Sequence, residues 1–219
     1  MTEKQLTPRQ ADRRQRILEA TRDLLADAGY EGLQMRLLAE RAGVAPMTLY
    51  NLFGNKDDLI LVALRDMLGD IARRAQSTGK RGIELLLENV ALTAEQILTT
   101  PKYAQAMALM LFNAPEDSPI AQTLLINNVD QSRRRIAEML DAGEVDDTVD
   151  SELLARSLAV CGWSVILLWM KGVVPDPEFR YQYRCAPLLV LAPAMTKRSR
   201  LRYAAQLKAI AGDDAEQAP

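Results

Sequence analysis

Side chains suited to hydrogen bonding with a nucleic acid lie close together between residues 36 and 56. They are a guanidinium, a hydroxyl, a phenol, an amide and an ammonium, carried by Arg36, Thr48, Tyr50, Asn51 and Lys56. Groups of these types donate hydrogen bonds to phosphate oxygens, and arginine and asparagine also pair with the edges of bases. The chemistry that they suit is recognition, with no covalent step.

The composition disfavours a catalytic or metal site. The chain has no histidine, which removes imidazole acid–base catalysis and histidine metal ligands. The cysteines, Cys161 and Cys185, lack metal-site spacing and each lies in an apolar stretch, so we expect buried free thiols. Neither a Glu-x-x-His pattern nor a phosphate-binding glycine loop is present. We therefore expect no enzyme, no metal site and no cofactor.

The polar side chains must be positioned by the segment MRLLAERAGVAPMTLYNLFGNK, residues 35–56. It contains two short stretches with helical apolar periodicity, separated by Gly43, which suits a turn with positive φ. Two short helices joined in this way form a helix-turn-helix, whose second helix lies in the major groove of DNA. The residues expected to face inward are Leu37, Leu38, Ala39, Leu49 and Phe53.

The remainder of the chain also has helical periodicity, so we predict an all-α fold. Thr7 and Pro8 begin a first helix that Gly29 ends, and Asn55 caps a long fourth helix. A later helix is predicted from about Pro119 to Leu140. We predict an N-terminal three-helix helix-turn-helix domain over residues 1–55, followed by a larger helical bundle over residues 56–212. Residues 213–219 form an acidic tail.

Charge and hydropathy give weaker indications. The net charge is −2, but arginines 9, 13, 14 and 16 form a basic cluster that suits either DNA or a solvated helix face. The N-terminus has no apolar signal region. The longest apolar run, Leu158–Met170, is shorter than the ~20 residues that a membrane span needs. We therefore expect a cytoplasmic protein without a membrane partner.

Residues 16–61 resemble the DNA-binding domain of the TetR family of transcriptional regulators. The resemblance lies in ILEAT and LLADAGY, in LLAERAGVA through the turn, and in MTLYNLFGNKDDL. The chain departs from the family at Gln34 and Met35, where a Ser or Thr often begins the second helix. It departs again at Asn51 and Leu52, where histidine or tryptophan is common. The base preference therefore does not carry over from the family.

The resemblance implies a role on DNA for each exposed residue of the motif. Thr48, Tyr50 and Lys56 would contact phosphates, although Tyr50 could instead pack between the helices and Lys56 could be merely solvated. Arg36 could pair with guanine or form an ion pair with Glu40. The residues expected to read bases are Arg36, Ala45, Pro46, Met47 and Asn51.

The resemblance also implies a homodimer and a small-molecule effector. The apolar helix between Asp150 and Gly172 would form the dimer interface, with Gly162 and Ser164 allowing close approach and Trp163 or Trp169 as an anchor. The alternative is a central core helix of a monomer. An effector pocket would take an apolar or aromatic molecule. The candidate lining residues are Tyr103, Met107, Met110, Phe112, Met139 and Trp163. The alternative is that these residues belong to the ordinary hydrophobic core.

The expected function is a sequence-specific transcriptional regulator that acts as a dimeric repressor on double-stranded, palindromic operator DNA. A small, mainly apolar effector would release it from the operator. Two alternatives remain at this point: an enzyme built on a helical bundle, and a dimer that uses the helix-turn-helix for protein contacts.

Overall fold

A computed structural model describes residues 7–205, and they form an all-α fold as predicted. No strand lies in this range, where the only β-type pairing is an isolated bridge between Val145 and Met195. The helices are α1 (Pro8–Gly32), α2 (Met35–Ala42), α3 (Pro46–Phe53), α4 (Lys56–Ser77), α5 (Gly82–Thr99), α6 (Pro101–Phe112), α7 (Pro119–Ala121), α8 (Asn127–Asp141), α9 (Ser151–Met170) and α10 (Asp176–Leu191). Residues 197–205 are also helical.

The chain divides into two compact units. The first runs up to Gly69 and includes Thr100–Asn113, so it contains α1 to α3, α6 and most of α4. The second contains Asp70–Thr99 and the chain from Ala114 onward. The boundary predicted between residues 55 and 56 lies inside the first unit, where α4 begins. The predicted acidic tail lies outside the described residues.

Local signals set the ends of α1. The Thr7 hydroxyl accepts a hydrogen bond from the Gln10 backbone N–H at 3.4 Å, and the Gln10 side chain accepts one from the Thr7 N–H at 2.9 Å. This reciprocal pair is a capping box. Gly29 breaks the helical geometry as predicted, with φ 66° and ψ −172°, but a further helical turn extends to Gly32. The sequence analysis missed that turn, which leads into Leu33 and α2.

The second unit packs its helices around one apolar cluster. Ile83 and Leu86 of α5 meet Ile136 and Met139 of α8, together with Leu154 and other residues of α9 and α10. The single helix predicted from Pro119 to Leu140 is interrupted, because residues Gln122–Ile126 form a π-helical turn before α8. Pro187 lies within α10 without ending it.

Helix α9 is the most apolar element. Asp150 caps its N-terminus by accepting hydrogen bonds from the backbone N–H groups of Glu152 and Leu153, at 2.8 and 3.2 Å. Its 20 residues include a window of mean hydropathy 1.8, so by length and composition alone this helix could cross a membrane. The length and hydropathy of a single helix are weak evidence for a membrane span, because the core helix of a soluble protein has the same properties. Helix α9 packs on α8 and α10.

Candidate DNA interface

The turn between α2 and α3 is built as predicted around Gly43. This residue has φ 64° and ψ 43°, the left-handed conformation that side chains other than glycine rarely adopt. The N–H groups of Gly43 and Val44 donate to the carbonyls of Glu40 and Ala39 at 3.2 and 2.9 Å, which satisfies the free end of α2. The Arg16 guanidinium adds a bond to the Ala42 carbonyl at 3.4 Å. The turn is thus held by backbone hydrogen bonds to α2 and by a side-chain hydrogen bond from α1.

A small apolar core holds the two helices together. Leu38 and Ala39 of α2 are buried with Leu49 and Phe53 of α3. The prediction that Leu37 faces inward is wrong, because 44% of its surface is exposed. On a helix with about 3.6 residues per turn, burying positions 38, 39 and 42 leaves position 37 facing outward.

Helix α3 presents most of the predicted contact residues on its exposed side. Ala45, Pro46 and Asn51 are exposed, while Thr48 is half-buried. Met47 and Tyr50 have exposed fractions of 65% and 49%. Such exposure favours the contact role of Tyr50 over the packed alternative, because a ring that supported the helix pair would lose most of its surface.

Arg36 lies on the exposed side of α2. Within residues 7–205, no ion pair joins Arg36 to Glu40. The ion-pair alternative therefore finds no support in this conformation, and the guanidinium is available for an external acceptor.

Lys56 begins α4 and lies against an aromatic ring. Its ammonium lies over the ring of Tyr30, 3.8 Å from the centroid, and the Tyr30 hydroxyl donates to the Asp57 carboxylate at 2.7 Å. That hydrogen bond, with partial burial, raises the pKa of Tyr30 to about 12. The predicted cap is present too, since Asn55 Oδ1 accepts from the Asp58 N–H at 2.9 Å. Sequence analysis missed Tyr30, because its partners lie on another helix.

The basic cluster of α1 is partly engaged within the protein. Arg14 lies 3.8 Å from the Asp66 carboxylate, and Arg22 pairs with the same carboxylate at 3.4 Å. Arg16 contacts Asp12 at 3.4 Å in addition to the Ala42 carbonyl. These arginines therefore have partners within the first unit, whereas Arg9 is exposed at the start of α1.

The predicted effector residues are divided between the units. Tyr103, Met107, Met110 and Phe112 belong to α6 in the first unit, and Met139 and Trp163 to the second. Met139 is fully buried in the second core, whereas 47% of Phe112 is exposed. The Tyr103 hydroxyl is buried and has no hydrogen-bond partner among residues 7–205. Burial raises the pKa of Tyr103 above its ordinary value.

Two residues expected at a dimer interface are used inside the subunit. The indole N–H of Trp169 donates to Asp176 at 2.7 Å, and its ring packs on Phe179 with centroids 5.0 Å apart. A Cβ at Gly162 would lie 2.9 Å from the Tyr183 hydroxyl. Gly162 thus allows the close approach of α10, and Trp169 is buried in its own subunit.

The described residues contain no cluster of three or more cysteine, aspartate or glutamate side chains that could hold a metal. Among the described residues neither cysteine forms a disulfide; Cys185 is buried as expected, but Cys161 is only half-buried. Desolvation raises the pKa of the Cys161 thiol to about 11.

Comparison with known proteins identifies the family. Residues 17–63 match the model for bacterial regulatory proteins of the tetR family. Over 170 residues, the chain is 30% identical to the HTH-type transcriptional repressor KstR of Rhodococcus jostii, and the match covers 74% of each chain. The chain belongs to the tetR family. It is therefore a DNA-binding transcriptional regulator and not an enzyme.

Another relative in the tetR family is similar over a shorter part of the chain. KstR of Mycolicibacterium smegmatis is 51% identical over 55 residues, which are 25% of this chain and 27% of that one. The fatty acid degradation regulator FadR of Bacillus halodurans has the same fold, with a TM-score of 0.68 and 22% identity over 81% of this chain and 97% of that one. The tetR-family regulators act as dimers and bind operator DNA and small-molecule effectors.

Proposed function

We propose that this regulator is a dimeric repressor that binds a palindromic operator and leaves it when a small, mainly apolar effector binds. The observation that carries the proposal is the exposed side of α3. It presents Met47, Tyr50 and Asn51 on a helix that Leu49 and Phe53 anchor in the core. A rigid helix with an exposed reading surface is what insertion into a major groove requires.

The contacts on DNA divide into two classes. Thr48, Tyr50 and Lys56 would bond phosphates, which fixes the position of α3 on the duplex without reading its sequence. Base reading would fall to Arg36 and Asn51 by hydrogen bonds, and to Ala45, Pro46 and Met47 by apolar contact that suits thymine methyl groups.

A palindrome requires two copies of α3, about 34–36 Å apart. The interface that we propose is the exposed stripe of α9 formed by Leu153, Val160 and Leu167, which have exposed fractions of 60%, 46% and 40%. These residues recur every seven positions, so they lie on one side of the helix. The opposite side of α9, including Leu154 and Leu158, is buried within the subunit. A second copy would cover this apolar stripe.

The effector would contact the predicted residues of α6 in the first unit, which are Tyr103, Met107, Met110 and Phe112. Tyr103 has the strongest support, because a ligand could supply the hydrogen bond that its buried hydroxyl lacks within residues 7–205. Release would follow if the effector favoured a conformation with low affinity for DNA. We place this regulation in the cytoplasm.

The test is binding to duplexes taken from the DNA that flanks the gene of this protein, measured by fluorescence anisotropy at several salt concentrations. The unsubstituted protein should bind one duplex selectively, and Tyr50→Ala and Lys56→Ala should weaken that binding. Lys171→Ala, at an exposed lysine in the turn after α9, is the matched control and should bind normally. Circular dichroism checks that each variant is folded.

Absence of salt-sensitive, sequence-selective binding would contradict the proposal. Unchanged affinity in folded Tyr50→Ala and Lys56→Ala proteins would favour a helix-turn-helix that makes protein contacts.

A further inference from the structure

We propose that Tyr30 is a positioning residue for DNA binding, which holds the Lys56 ammonium where it can meet a phosphate. The proposal rests on the DNA-binding function above, and on the juxtaposition of Tyr30, Lys56 and Asp57 at the junction of α1 and α4. Tyr30 itself makes no contact with DNA in this proposal, and acts through Lys56.

The first observation is the contact between the ring and the ammonium. A separation of 3.8 Å between Lys56 Nζ and the Tyr30 centroid lies well within the range of a cation–π interaction. The ring faces one side of the ammonium, which has three donors on a flexible four-carbon stem. The remaining donors stay available for phosphate oxygens. A lysine already held in place loses less conformational freedom when it binds.

The second observation is the hydrogen bond from the Tyr30 hydroxyl to Asp57, at 2.7 Å. It fixes the orientation of the ring, and it draws the Asp57 carboxylate towards α1. An untethered carboxylate beside Lys56 would repel a phosphate or compete for the ammonium. One tyrosine therefore controls two consecutive residues in the first turn of α4.

The backbone explains how Tyr30 reaches α4. The kink at Gly29, with φ 66°, separates Tyr30 from the regular part of α1, and the Tyr30 carbonyl then accepts the Leu33 N–H at 3.3 Å. The ring is half-buried, so it is not a component of the closed core. Its position next to an ammonium and a carboxylate indicates a polar role for the aromatic side chain.

The experiment is a double-mutant cycle measured on a duplex of mixed sequence that carries no operator, because phosphate contacts are independent of sequence. Tyr30→Leu removes the ring, and Tyr30→Phe keeps it and is the matched control. Each is made in the full-length protein and again with Lys56→Met. At low salt, Tyr30→Leu should weaken binding about two- to fivefold per subunit. Tyr30→Phe should weaken it less.

With Lys56→Met present, Tyr30→Leu should have no further effect on affinity, because the group that it positions is gone. The slope of log affinity against log salt should also move from the native value towards that of Lys56→Met, which loses about one phosphate contact. An equal loss from Tyr30→Leu in both backgrounds would overturn the proposal and assign Tyr30 a structural role.

Phenylalanine analogues at position 30 with increasing fluorination provide a second series for the case in which Tyr30→Leu does not fold. Fluorine reduces the negative potential of the ring face while the shape changes little. DNA affinity should fall stepwise with fluorination when Lys56 is present and stay constant with Lys56→Met. A flat series in both backgrounds would overturn the proposal. If the unsubstituted protein binds no duplex, the DNA-binding function itself fails.

Discussion

Individual side chains on the outside of the helix-turn-helix decide how it would discriminate between DNA sequences. Pro46 and Met47, at the start of α3, offer only apolar surface, and Met47 is 65% exposed. In the proposed function, hydrogen-bonded reading of bases would therefore fall to Asn51 of α3 and to Arg36 of α2. The guanidinium of Arg36 is the stronger donor of the two because it is charged. Within residues 7–205, no ion pair with Glu40 occupies it.

Replacing Arg36 with alanine tests this assignment. If Arg36 pairs with a guanine, Arg36→Ala should remove about 1–3 kcal/mol of discrimination at one base pair and leave other positions unchanged. The measurement is competition between the operator and variants substituted at each position. Arg41→Ala, at an arginine that pairs with Asp27 instead, is the control. A uniform loss across all sequences would show that Arg36 binds phosphate.

The tyrosine at position 30 gives a prediction about pH. Its hydrogen bond to Asp57 raises its pKa to about 12, so the stabilising contribution is present below the ordinary tyrosine value of about 10 and is lost as pH rises through 12. In Asp57→Asn, the Tyr30 pKa should fall towards its ordinary value. Ultraviolet titration of this variant, with Tyr30→Phe subtracted, measures the shift. An unchanged titration would contradict the hydrogen bond as its main cause.

Helices α2 and α3 depend on the turn that joins them. The ideal Cβ position at Gly43 lies 3.7 Å from an Arg16 nitrogen, an ordinary contact, so space does not exclude a side chain there. The backbone conformation does, since φ is 64°. Any penalty for substitution at this turn should therefore arise from the left-handed conformation alone.

Two substitutions at Gly43 distinguish backbone strain from steric crowding of the new side chain. Gly43→Ala should lower the free energy of unfolding by about 1–2 kcal/mol, while the larger Gly43→Asn should cost less, because asparagine adopts left-handed geometry more readily. Chemical denaturation followed by circular dichroism gives both values. A greater loss for asparagine than for alanine would mean that steric crowding, and not φ, limits this position.

For the whole molecule, the decisive element is α9, which has one side buried and another exposed. If the exposed stripe joins two subunits, a charge placed on it should separate them. Val160→Glu and Leu167→Glu should yield monomers whose affinity for operator DNA falls steeply, because only one α3 then engages. Sedimentation velocity measures the mass, and Leu201→Glu, at a residue 69% exposed elsewhere in the second unit, is the control. Dimers that survive both substitutions would place the interface on another surface.

The sequence by itself determined most of the elements, because their signals are local. The Thr7 cap, the turn at Gly43 and the Asn55 cap each lie within a few residues of the backbone groups that they satisfy. Helical periodicity likewise indicated the buried Leu38, Leu49 and Phe53. These features sufficed to predict the all-α fold and the helix-turn-helix.

Only the tertiary structure decided which side chains are engaged within the subunit. Tyr30 of α1 contacts Lys56 and Asp57 of α4. Asp66 forms ion pairs with Arg14 and Arg22, which lie more than 40 residues earlier in the chain. The packing of helices also decides that Leu37 is exposed and that the Trp169 indole donates a hydrogen bond to Asp176. Such pairings follow from how helices pack, which no short-range periodicity specifies, so the sequence indicated the reading helix but not the residues that support it.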